Sequence, residues 1–129
     1  MSIQQRNLES FQHFALAPTA TRSATFTGTT VNVIGLHALD GDIQVILDSS
    51  AVTGAGSITC AIEHSVDGTT NFDAVPNGAF TAVTSAGASK QVLTLSKDDI
   101  RAHIRVVGTV SGTASAAYSV NGYGVAKYQ

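Results

Sequence analysis

DIQVILDSSAVTGAGSITCAIEHSVDGTTNF, residues 42–72, decides the fold. Two runs of β-type residues flank a loop of small ones, and the second run ends in a tight turn. Ile43, Val45 and Leu47 alternate in the first run, and Ile58, Cys60 and Ile62 in the second. Alternate side chains of an extended strand share a face, so each triplet predicts one buried face. A fully buried aliphatic side chain contributes about 1.5–3 kcal/mol. Two such triplets facing a second sheet supply the middle of a sandwich core. Nothing in the stretch brings together the titratable groups that catalysis requires. It reads as a scaffold for binding or building.

The rest of the composition agrees with β structure. A chain of 129 residues suits one domain with a core of its own. Charged residues make up 12%, about half the usual share, and Ala, Thr, Ser, Val and Gly take their place. So little charge predicts a surface that meets protein over much of its area. The net charge is −2 and no Lys/Arg cluster occurs, which argues against a nucleic-acid partner. Cys60 is the single cysteine, and its place in the alternation makes it a small core residue rather than a nucleophile. The first twenty residues lack the basic start and apolar run of a secretory signal. No segment approaches the roughly 20 apolar residues that span a bilayer, so no membrane partner is expected. The expected place of assembly is a cytoplasm.

Residues 1–20, MSIQQRNLESFQHFALAPTA, differ from the rest. Leu8, Phe11 and Phe14 are spaced by three, which predicts one to three helical turns, broken by Pro18. The expectation is an N-terminal arm that orders on a partner and buries Phe11 and Phe14 there. Its removal should leave a β-sandwich domain, residues 21–129, folded. In that domain residues 21–30 predict a first, edge strand, and residues 30–37 a second with a bulge at Gly35. Asp40-Gly41 predicts a hairpin turn into the third strand. Residues 48–56 read as a loop too poor in apolar groups for the core, and a fourth strand begins at Ser57. Ser65-Val66-Asp67-Gly68-Thr69-Thr70-Asn71-Phe72 predicts a structural hairpin, loosely like an Asp-box. Pro76-Asn77-Gly78 predicts another turn. Strands follow around Phe80 and over residues 90–95. Ser96 then caps a short helical or 3₁₀ turn. Residues 101–110 predict a strand with Ile104 and Val106 inward and Arg101, His103 and Arg105 outward. The last strand covers residues 115–128, with Tyr118 and Val120 on one face and Tyr123 on the other. About eight strands with no long helix predict an all-β fold: an antiparallel β-sandwich, jelly-roll-like.

The four histidines, His13, His37, His64 and His103, stand at no metal-ligand spacing. Asp67 and Asp73 lack the further carboxylates of a calcium loop. Serine-nucleophile and phosphate-binding glycine motifs are missing too. The expectation is a protein that is not an enzyme, with no catalytic residue, metal, cofactor or small-molecule substrate.

Two long runs, VILDSSAVTGAGSITCAIEHSVDGTTNFDAV and FTAVTSAGASKQVLTLSKDDIRAHIRVVGTVSGTASAAYSVNGYGVAKY, resemble small tailed-bacteriophage capsid decoration, or cement, proteins. LDSS at residues 47–50, EHSVDGTTNF at 63–72, QVLTLSKDDIRAHIRV at 91–106 and the tyrosine-bearing last strand carry the resemblance. It covers residues 31–128 and leaves the N-terminal arm outside. It implies a virion location on the capsid exterior, with the major capsid protein as partner and a homo-oligomer, dimer or trimer, as the free state. It supplies no catalytic motif. On physical grounds Phe11 and Phe14 are the expected capsid anchors. Arg101, His103 and Arg105 are expected to meet an acidic surface. Tyr118, Tyr123 and Tyr128 mark a last strand expected to pair edge to edge. A phage tail or fibre module and a carbohydrate-binding or adhesion module are the alternatives. The absence of Trp and an aromatic share of 6% count against the sugar-binding one. A chain running from Met1 to residue 129 is expected to be a free-standing small subunit rather than part of a fibre.

Overall fold

A computed structural model describes residues 11–33 and 39–126. Among these, nine strands form two antiparallel sheets. They are β1 (Phe11–Arg22), β2 (Phe26–Thr27), β3 (Val31–Asn32), β4 (Leu39–Ser49), β5 (Ile58–Ser65), β6 (Asp73–Ala79), β7 (Ser89–Leu95), β8 (His103–Val110) and β9 (Ala116–Ala126). Sheet one has the order β1-β9-β4-β7. Sheet two has the order β2-β8-β5-β6, and β3 pairs with β8 beyond β2. The pairs β1·β9, β2/β3·β8, β4·β7 and β5·β6 nest inside one another along the chain. A long hairpin wound in this way, then joined through β9·β4 and β8·β5, is a jelly roll with β2 and β3 sharing one strand position. No helix among the described residues is long and apolar enough to cross a membrane.

The core lies between the sheets. Ile43, Val45 and Leu47 face inward from β4, and Ile58, Cys60 and Ile62 from β5, all nearly inaccessible to water. Ile104 and Val106 join them from β8, and Tyr118 and Val120 from β9. Burial alternates along β5 and β8, the period-two pattern expected of a sheet with one buried face. The turn after β7 forms where its cap predicts. Ser96 Oγ accepts the Asp98 amide at 3.3 Å, and Asp98 and Asp99 lie in the first turn of the 3₁₀ helix Lys97–Asp99.

Five expectations are corrected. Residues 11–20 are not an arm but most of β1, paired with β9 from Phe11↔Val125 to Arg22↔Ala116. Phe14, Leu16 and Ala17 are buried in the core. Without β1, β9 would lose a neighbour and the core the side chains of Phe14, Leu16 and Ala17. The rest of the expected arm, residues 1–10 with Leu8, lies outside the described residues. Asp40-Gly41 lies inside β4, not in a turn. There β4 advances four residues, Asp40 to Gln44, while β9 advances two, Val125 to Tyr123. The dipeptide is absorbed as a bulge, and β3 and β4 belong to different sheets. The expected bulge at Gly35 falls outside the described residues. Pro76-Asn77-Gly78 likewise lies within β6, where a register shift and a left-handed Asn77 (φ 59°) replace the expected reversal. The loop after β4 does reach the core. Val52 is 3% exposed, and its amide bonds Thr84 O at 3.1 Å while Thr53 bridges to Ser115. Finally, β9 is a central strand between β1 and β4, so it has no free edge.

Candidate interaction surfaces

Three features of the sandwich exterior bear on function: a basic strip, a hairpin and a bare sheet face. The basic strip is Arg101, His103 and Arg105, and each of the three is engaged within the chain. Arg105 Nε and NH2 both reach Glu63 Oε1, at 3.0 and 2.9 Å, and its guanidinium lies 3.5 Å from the Phe72 ring centroid. Arg101 NH1 donates to Asp73 at 2.7 Å, an exposed pair of small energetic value. His103 Nδ1 lies 3.1 Å from Val66 O. The strip expected to meet an acidic partner is neutralised by Glu63 and Asp73 instead.

The hairpin joins β5 to β6. Asp67 Oδ1 accepts Thr69 N at 3.0 Å, Thr70 N at 2.9 Å and Ser65 Oγ at 2.9 Å, and Oδ2 accepts Thr70 Oγ at 2.6 Å. These bonds, Thr70's first, hold the Asp67 carboxyl far below the usual carboxylate range. A carboxylate favoured in its charged form by these donors organises the turn, and Val66 stands 72% exposed at its tip. A cavity of about 180 Å³ between the hairpin and Arg101 is lined by Ser65, Val66, Asp67, Thr70 and Asn71. Its acceptors are taken up by the hairpin's own donors, as in a structural turn. Among the described residues no group of three or more His, Cys, Asp or Glu side chains could hold a metal ion.

The outer face of sheet one is different in kind. Ala15, Asn121, Ile46 and Val92 lie side by side across all four strands, and His13, Tyr123, Gln44 and Thr94 form the next row. His13 and Tyr123 rings stand 5.0 Å apart, and Thr94 Oγ1 bonds Gln44 Oε1 at 3.1 Å. Gln44, Ile46, Val92 and Tyr123 line a shallow groove of about 360 Å³ with no charged side chain. Val92 is 56% exposed. Strand alternation puts Asp42, Asp48 and Lys90 on the same face, but at its margins.

Proline interrupts two of the sheet edges, β1 and β6. Pro18 lies in β1, and the Arg22 guanidinium donates to Pro18 O, Ala20 O and Tyr118 O while stacking on Phe26 (4.1 Å) and Tyr118 (4.6 Å). Pro76 sits in edge strand β6. Gln91 of edge strand β7 clasps the Thr81 backbone, accepting its N–H at 2.8 Å and donating to its O at 2.9 Å. The prolines each remove a backbone donor from β1 and β6, which disfavours strand addition there.

The sequence-named contact residues therefore separate. Phe14 (5% exposed) and Tyr118 (1%) are core residues and unavailable to a partner. Tyr123 does lie on the outer face of sheet one, while Phe11 begins β1 and Tyr128 lies outside the described residues. Ile46 and Val92 were missed, although the signal was present. In QVIL (residues 44–47) and QVL (91–93) apolar residues occupy both parities, so both faces of those strands are apolar.

No known protein family matches this chain, and no curated protein matches it.

Proposed function

We propose that this is a non-enzymatic virion structural protein that binds the outside of an icosahedral phage capsid. Its partner is the major capsid protein, met with the outer face of sheet one. The observation that carries the reading is that face, uncharged at its centre and apolar around Ile46 and Val92. Dehydrating it costs little, because it carries few groups that lose strong hydration. Ile46, Val92 and Tyr123 take the anchoring role that Phe14 and Tyr118 cannot fill. Each copy that holds two capsid subunits stabilises the assembled shell by mass action, and many copies on a lattice add avidity.

The test is sedimentation of purified protein with expanded shells that lack it. The expected result is co-sedimentation at a fixed ratio to the capsid protein and greater resistance of the shells to heat. Val92→Glu should weaken that binding tenfold or more, about 1.4 kcal/mol, with an unchanged melting temperature. Undiminished binding by Val92→Glu would remove sheet one as the contact. No binding by the natural chain would overturn the capsid reading, and self-assembly into rings or tubes would then assign it to the tail.

A further inference from the structure

We infer that His64 makes the hairpin of residues 65–72 acid-sensitive, holding its base closed while neutral and releasing it once protonated. His64 is the second-last residue of β5, opposite Asp73 in β6 and Ile104 in β8. It is 7% exposed. The Arg101 backbone N–H donates to its Nδ1 at 3.2 Å. A backbone amide can only donate, so Nδ1 carries no proton and the ring is neutral. The same Arg101 extends its guanidinium to Asn71 O at 3.4 Å and to Asp73 at 2.7 Å. One residue thus grips both feet of the hairpin: His64 on the outgoing strand, Asn71 and Asp73 on the returning one.

The charged groups around the ring come from each neighbouring element. Arg101 approaches from the lead-in to β8, and Asp73 from β6. From β8 the opposite residue is apolar Ile104, and His103 beside it turns to Val66 O. On β5 itself Glu63 is bound to Arg105 on the other face. Arg101 and Asp73 are paired with each other, so burial decides. Burial, and then Arg101, lower the His64 pKa below the ordinary 6.5, with Asp73 acting in the other direction. A proton on Nδ1 would oppose the Arg101 N–H and place a second positive charge beside the guanidinium. The opened clasp exposes the imidazole to water, where it takes up the proton that the closed form refuses. Opening is therefore independent of pH above 6.5. Below it, opening grows by up to about tenfold per pH unit, until the closed form also protonates.

Amide hydrogen exchange from pH 7.5 to 5.0, with intrinsic chemical rates divided out, tests this. Protection of the Arg101 amide should fall below pH 6.5, by at most about tenfold per unit, while Ile62 and Val106 in the core hold theirs. His64→Asn keeps an acceptor near the Nδ1 position and does not titrate, so its profile should be flat. A second measurement needs no variant: the His64 ring protons of the natural chain should titrate below 6.5, where the exchange profile levels. A flat profile in the natural chain, a sloping one in His64→Asn, or a ring that titrates at or above 6.5 would each overturn the inference.

Discussion

Phe14 and Gly122 should be strongly coupled, because one fills the space that the other leaves open. They are opposite one another in the β1·β9 ladder. A Cβ built on Gly122 would overlap the Phe14 ring at Cε2 and Cζ. Truncation of a buried phenylalanine to alanine costs about 3–5 kcal/mol. A chain of this length has a total stability of about 6–19 kcal/mol, at 0.05–0.15 kcal/mol per residue. With a urea slope near 2 kcal/mol/M, Phe14→Ala should lower the unfolding midpoint by about 2 M. Gly122→Ala overpacks the same site and should cost about 1–3 kcal/mol. In the double variant the new methyl occupies the space the ring has vacated. Its stability should match that of Phe14→Ala alone, which makes the two losses non-additive by about 1–3 kcal/mol. Urea melts of the four proteins measure the cycle. Simple additivity, or a Phe14→Ala shift under about 0.5 M, would refute the placement of β1 in the core and restore an arm.

Tyr118 Oη is buried with the weakly bonding Cys60 thiol as its polar neighbour, so Tyr118→Phe should change stability by less than about 1 kcal/mol; a larger loss in a thermal melt would mean the hydroxyl makes a strong bond. Burial pushes the Cys60 thiol up from 9.0 to about 11. Its stabilising contribution is complete below pH 9 and should be lost by up to about 1.4 kcal/mol per unit as pH rises toward 11, a slope that Cys60→Ala should reduce in urea melts. Asp67, whose contribution is present above the ordinary carboxylate pKa and lost only as pH falls through a far lower value, should keep the ¹³C shift of an ionised carboxylate at pH 3. Asp67→Ala should speed exchange at the Thr69 and Thr70 amides, and unchanged rates there would mean other bonds hold the turn.

What could be read from the sequence was what depends on neighbours along the chain. β5 and β8 alternate over most of their length and β4 turns Ile43, Val45 and Leu47 to one buried face, and Ser96 meets its amide partner two residues on. Residues 11–17 were misread because Phe11 and Phe14 at a spacing of three compete with Phe14 and Leu16 at a spacing of two. In so short a segment the period does not decide; the demand of β9 for a second neighbour does. Asp40-Gly41 and Pro76-Asn77-Gly78 carry turn chemistry, but a bulge uses the same backbone freedom as a turn. The partners of the basic strip were out of reach for a different reason: Asp73 lies 28 residues before Arg101, and Glu63 lies 42 before Arg105.

The distribution of charge then bears on which side of the sandwich can meet another protein. With 12% charged residues the chain has few lysines to keep strand edges apart, the common protection of an exposed sheet. Pro18 in β1 and Pro76 in β6 interrupt two of those edges instead. The described ion pairs, Arg105–Glu63 and Arg101–Asp73, lie on sheet two and its lead-in. Any contact made there must strip water from groups already paired with one another, which offsets much of the gain. Sheet one loses less when dehydrated, since Ile46 and Val92 gain by leaving water and the charges stand at its margins. With sheet two's described charges paired among themselves, the outer face of sheet one loses least on dehydration.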